Sequence, residues 1–133
     1  MTPAVPRWLG DAGTVGLGGA VGTLLRYWVT GAAYALVPTP RLPWGTLVVN
    51  VAGCFAIGML GGLAETRGIL TASARLFLLI GVLGGFTTFS TFGYETLALL
   101  REQALARALL NVGLQLTLGL GAAWAGLATS RLW

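Results

Sequence analysis

Histidine and lysine are missing from this chain, cysteine occurs once, at Cys54, and only four carboxylates stand among 133 residues. One cysteine permits no intramolecular disulfide. Without histidine, a transition-metal site, a Cys/His nucleophile pair and a Ser-His-Asp triad all lack an essential part. Most enzyme classes are excluded on these grounds, and no enzymatic activity is expected.

Charge is scarce as well. Charged residues make up 9% of the chain, whereas hydrophobic ones make up 56%. A soluble domain carries about 25% charged residues, so water is the wrong solvent for most of this surface. The eight basic residues are all arginines, giving a net charge of +4. They are scattered singly rather than clustered, so no nucleic-acid partner is expected, and they read as charges flanking membrane spans. Arg7 ahead of the apolar stretch 15–25 imitates a secretory signal. Arg26 interrupts that stretch and apolar residues continue to Val37, so a retained first span is the expectation.

A membrane helix needs about 20 mainly apolar residues. Four stretches qualify: 13–37, closed by Pro38, Pro40 and Pro43; 44–63, ahead of Glu65-Thr66-Arg67; 76–100, ending at Arg101-Glu102; and 104–129, followed by Arg131. The connections are short, so the expectation is one membrane domain over 1–133, a compact bundle of four transmembrane helices in membrane lipid. Trp8, Trp44 and Trp133 stand where aromatic interface anchors are found. Arg7, Arg67, Arg75 and Arg131 fall on one side of such a bundle, and Arg41, Arg101 and Arg107 on the other. That near tie fits a chain that inserts in both directions and pairs antiparallel; a single positioned arginine fixing one direction is the alternative. Gly18/Gly22, Gly58/Gly62 and Gly81/Gly85 are each spaced four apart, as close helix packing requires. Any one pair serves internal packing as readily as a dimer seam, but together they offer more small faces than four helices use, so an oligomer is expected.

The densest signal is Gly84-Gly85-Phe86-Thr87-Thr88-Phe89-Ser90-Thr91-Phe92, inside the third span. A glycine-broken turn there must face protein or an aqueous path, because lipid cannot satisfy freed backbone groups. At about 100° per residue, Phe86, Phe89 and Phe92 share one face of a continuous helix, with Thr87, Thr91 and Tyr94 opposite. Phenylalanine ring edges are positive and can support an anion. The stripe has a plainer reading as packing or lipid contact.

Other polar residues complete a lane. Thr46 and Asn50 lie four apart on the second span, and Asn50 can either donate to an anion or tie two helices together. Asn111, Gln115 and Gly119 repeat at four-residue spacing on the fourth. Arg26 either snorkels or draws anions to the mouth of a pathway. Glu95 is an intramembrane acid, a functional candidate by default, with a structural or vestibule role favoured. Donors with little carboxylate along the lane favour an anion that accepts hydrogen bonds.

Three motifs carry a family resemblance: Gly-x-x-x-Gly-Thr-x-x-Arg-Tyr from Gly18 to Tyr27, Gly-Thr-Leu-Val-Val-Asn-Val-x-Gly from Gly45 to Gly53, and Gly-Gly-Phe-Thr-Thr-Phe-Ser-Thr-Phe-x-x-Glu from Gly84 to Glu95. With these the chain resembles the small bacterial fluoride channels of the CrcB/Fluc family. The resemblance covers nearly the whole chain and implies an antiparallel, dual-topology homodimer in the bacterial inner (plasma) membrane, with a broken third helix and two passive, fluoride-selective pores that export fluoride. It implies Phe89 and Phe92 as pore-lining rings, Asn50 as the polar-track amide, Arg26 at the vestibule, and Thr46 and Thr91 as further pore residues. It also implies a sodium ion at the dimer interface, held by the backbone carbonyls of Gly84 and Thr87. Asn111 and Gln115 depart from the family's tyrosine and serines but occupy the matching face.

Two rivals remain. A proton-coupled exporter of small-multidrug type requires a central carboxylate, which the first span lacks. A non-transporting assembly subunit requires no ordered donors.

Overall fold

Residues 6–37 and 41–132 are described by the computed structural model, and Pro38, Pro40 and Trp133 lie outside that range. The described residues form helices and turns, with no strand among them. Helix α1 spans Arg7–Leu36 and α2 spans Trp44–Arg67. The third span, Ala72–Arg101, begins with α3 (Ala72–Arg75), widens into a π-helical stretch over Leu76–Val82, and continues as α4 (Leu83–Phe86) and α5 (Phe89–Arg101). Helix α6 spans Leu105–Ser130.

The helix ends differ from the hydropathy limits because capping chemistry sets them. Helix α2 runs one turn past Leu63, through the polar Glu65-Thr66-Arg67, and stops where Gly68 turns left-handed at φ 61°. The third span starts ahead of its apolar run because Thr71 caps it, its side chain accepting from the Ala74 N–H at 3.2 Å. Three of the four long elements are apolar enough to cross a membrane by composition: Trp44–Arg67, Ala72–Arg101 and Leu105–Ser130. Helix α1 is long enough at 30 residues. Its glycines and Arg26 dilute its apolar character, so composition alone does not qualify the stretch expected over 13–37.

Two glycine seams hold the bundle. Helix α1 lies along the first half of the third span. A Cβ on Gly18 would collide with the Phe77 carbonyl, one on Gly22 with the Val82 carbonyl, and one on Gly85 with the Gly19 carbonyl. Helix α2 packs along α6, where Gly58 faces the Ala123 carbonyl and Gly62 faces the Ser130 hydroxyl. All three glycine pairs are therefore used inside one subunit. The reasoning from surplus small faces to an oligomer does not hold for these pairs.

Between Phe86 and Phe89 the helical path is interrupted. Thr87 (φ −81°, ψ 157°) and Thr88 (φ −151°, ψ 110°) are both extended. The glycines are not the site of unwinding, contrary to the sequence expectation: Gly84 and Gly85 stay helical in α4. Gly85 instead serves the seam with α1. The extended residues are β-branched threonines, whose side chains suit that backbone.

Candidate functional site

Two extended residues in an apolar span leave backbone groups without helical partners, and the sequence supplies substitutes. Asn50, on α2, pairs with Thr88 as a strand would: its Oδ1 accepts from the Thr88 N–H at 2.9 Å, and its Nδ2 donates to the Thr88 carbonyl at 3.1 Å. The Nδ2 also donates to Gln115 Oε1 on α6 at 3.1 Å. An amide NH2 has two protons, and both are engaged. Asn50 is therefore an interhelical brace, the plainer of its two readings.

The threonines complete the repair. Thr87 donates its hydroxyl back to the Leu83 carbonyl at 2.9 Å. Thr88 caps α5: its Oγ1 accepts from the Thr91 N–H at 3.3 Å and donates to Thr91 Oγ1 at 2.9 Å. Arg26 reaches the Thr87 carbonyl from α1 at 3.4 Å, a long contact. That position is beside the extended pair.

Helix α5 then divides its side chains between two hollows. Phe89 and Phe92 line a cavity of about 400 Å³ together with Asn50, Cys54, Gly84 and Gln115. Their rings meet edge to face, centroids 5.4 Å apart at 62°. Phe89 is 80% exposed, large for a ring in the middle of a span. Thr91 and Glu95 face the other way, into a cavity of about 610 Å³ shared with Arg26, Tyr34 and Thr46. Thr88 lines both. Phe86 does not join the phenylalanine face, because the extended pair breaks the wheel on which the three were aligned; it packs toward Gly53 on α2.

Two buried side-chain atoms lack a hydrogen-bond partner among the described residues. Gln115 is buried, and its Nε2 has no hydrogen-bond partner among the described residues. This donor belongs to the residue that completes the wall opposite the phenylalanines. Thr46, also buried, donates to Glu95 Oε1 at 2.7 Å, while Glu95 Oε2 has no partner among the described residues.

Asn111 behaves differently from Gln115. It is 2% exposed, lines neither cavity, and donates to Thr96 Oγ1 at 2.9 Å. Thr96 in turn donates to the Phe92 carbonyl at 2.8 Å. Asn111 is a staple between α6 and α5, so the polar repeat on the fourth span is not one continuous lane. Sequence reasoning missed Thr88 and Thr96 in these roles, since a threonine inside a hydroxyl-rich run gives no sign of which one caps and which one staples.

Comparison with known proteins places the sequence in a family. The sequence model of the family described as CrcB-like protein, Camphor Resistance (CrcB), matches residues 14–127. A relative from Solidesulfovibrio magneticus, named fluoride-specific ion channel FluC, is 45% identical over 90% of this chain and 95% of its own length. One of the same name from Geobacter sulfurreducens is 47% identical over 85% of this chain and 90% of its own. A third, from Methylococcus capsulatus, is 44% identical over 88% of this chain, which spans 51% of that relative.

Proposed function

This chain belongs to the CrcB-like family, and from that premise we propose that it is a passive, fluoride-selective channel of the bacterial plasma membrane that lets fluoride out of the cytoplasm. The observation that carries the reading is the unpartnered Nε2 of buried Gln115 at the cavity of Phe89 and Phe92. Fluoride is small and strongly hydrated, so a pore must replace its water with placed donors. The fold gives this donor no partner among the described residues, so an anion that accepts its proton competes with no bond of the protein. Ring edges add positive potential without a full charge. Asn50 contributes by holding Thr88 and Gln115 in place, Thr88 and Thr91 by offering hydroxyls, and Arg26 and Thr46 by lining the second hollow.

The functional unit on this reading is an antiparallel dual-topology homodimer with the third helix broken inside the bilayer. Phe89, Ser90, Thr91 and Tyr94 are all exposed along the second half of that span, where lipid is a poor partner for hydroxyls and a second copy is a good one. The structural sodium ion fits the same arrangement. Thr88 gives its N–H to Asn50, so the Gly84 carbonyl loses its helical partner, and the space beside Gly84 is open. Among the described residues, the Thr87 carbonyl receives only the long contact from Arg26. Both are neutral, hard oxygens of the type that hard cations bind. One chain offers two, so a second copy would complete the set. When bound, the ion would supply a fixed positive charge at the dimer centre.

A proton-coupled exporter finds no support, since the middle of α1 carries Arg26 where that mechanism needs a carboxylate. The test is fluoride release from liposomes containing only this protein, followed with an electrode. Phe89→Ile and Phe92→Ile are expected to abolish release while leaving the dimer assembled. Vesicles no leakier to fluoride than empty ones, or full rates in both variants, would refute the proposal.

A further inference from the structure

A third hollow of about 220 Å³ lies beyond the cavity of Arg26 and Thr91, lined by Arg41, Glu102 and Arg107 among others. Arg107 approaches Glu102 at 3.9 Å, and Arg41 is exposed. Among the described residues, the two hollows share two lining residues, Tyr34 of α1 and Glu95 of α5. These side chains therefore stand at the partition between an outer compartment that holds Arg41, Arg107 and Glu102 and an inner one that reaches Thr88.

The two residues are held by different means. Glu95 is tied to α2 through Thr46. The Tyr34 ring lies against the first turn of α2, where a Cβ on Gly45 would sit 2.9 Å from the ring edge and 2.7 Å from the Thr30 methyl. Those distances are inside contact range, so Gly45 is what admits the ring. The partition consequently offers a passing anion one carboxylate, which repels it, and one neutral hydroxyl, which can donate to it.

We propose that Tyr34 is a positioning residue for permeation: it sets the width of the passage between the outer hollow of Arg41, Glu102 and Arg107 and the inner cavity, and supplies a donor there that offsets the Glu95 carboxylate. This rests on the channel reading above. It assigns a role to a side chain outside the phenylalanine cavity, on a helix where Arg26 was the sole candidate.

The experiment compares fluoride and chloride release from liposomes carrying the full chain as wild type, Tyr34→Phe, Tyr34→Ala and a control, Trp124→Phe. Trp124 is 73% exposed on α6 and lines none of the three hollows. Removing the hydroxyl in Tyr34→Phe is expected to slow fluoride release by about tenfold, near the upper net worth of one hydrogen bond. Tyr34→Ala is expected to widen the passage, so that chloride release rises relative to fluoride. A purely structural role would lower both anions together and would be rescued by Tyr34→Phe, which keeps the ring. Unchanged fluoride rate in Tyr34→Phe with unchanged anion preference in Tyr34→Ala would overturn the assignment. Absence of fluoride release from the wild type would instead overturn the channel reading on which it stands.

Discussion

Replacing Asn50 by alanine isolates the brace that makes the extended pair tolerable. The substitution removes three hydrogen bonds at 2.9, 3.1 and 3.1 Å and strands the Thr88 N–H, the Thr88 carbonyl and the Gln115 amide oxygen. Interhelical hydrogen bonds in membranes average about 0.6 kcal/mol each, so three sum to roughly 2 kcal/mol. If Thr88 stayed dry, its unpaired N–H alone could add about 1–3 kcal/mol. The neighbouring cavity of about 400 Å³ is lined by Asn50, Thr88 and Gln115 and has room for water. Water there would re-pair the stranded groups, so the lower figure governs. Asn50→Ala is therefore expected to lose about 2 kcal/mol in equilibrium unfolding in mixed micelles. Asn50→Asp keeps the acceptor for the Thr88 N–H but places a carboxylate against the Thr88 carbonyl and Gln115 Oε1, so its loss should be larger. A loss below about 0.5 kcal/mol for alanine, less than one such bond, would refute the brace.

Two further outcomes follow from the packing and the donor. Gly22→Ala drives a methyl into the Val82 carbonyl and to 2.8 Å from the Phe86 nitrogen, so α1 must withdraw from the third span; the same unfolding assay should register about 1–3 kcal/mol of overpacking. Gly16→Ala on the same helix meets nothing within 4 Å and should hold stability or raise it by up to about 1 kcal/mol, since alanine suits a helix better than glycine. Gln115→Glu preserves an oxygen for Asn50 but replaces the unpartnered Nε2 donor with an acceptor; fluoride release from liposomes should fall by about tenfold or more, with assembly intact.

The spans were legible in the sequence because lipid imposes one strong rule, an apolar run of fixed length, and α2, the third span and α6 obey it. Their ends were less legible, since Thr71 and Gly68 act through local geometry rather than hydropathy. Glycine spacing announced close contact at Gly18/Gly22 but could not say with what; the partner is a carbonyl about sixty positions away. Asn50 was legible as an unusual residue, while its partner, the backbone of Thr88, exists only once α2 and the third span are docked. The helical wheel failed at Phe86 for a physical reason: it presumes a continuous rotation of about 100° per residue, and two extended residues reset the phase. Asn111 and Gln115 look equivalent in sequence. Only the fold separates a staple to Thr96 from a donor without a partner.

That separation bears on where a selective site can be. Every donor spent on holding the extended pair is unavailable to a passing ion, and Asn50 spends both protons of its amide in that way. On the channel reading, the groups that the brace positions but does not consume are the ones to coordinate an anion: Gln115 Nε2, the edges of Phe89 and Phe92, and the hydroxyls of α5. The phase reset is what brings these together. With α4 and α5 in one unbroken helix, Phe86 would stand in line with Phe89 and Phe92. The two extended threonines detach Phe86 to the α2 seam, leave Phe89 and Phe92 facing Gln115, and turn Thr91 and Glu95 to the arginine side. A short helix thereby serves an apolar-edged hollow on one face and a hydroxyl-lined hollow on the other. Thr88, buried at the junction, is common to both, so strain or relaxation at its backbone would be felt in both hollows at once.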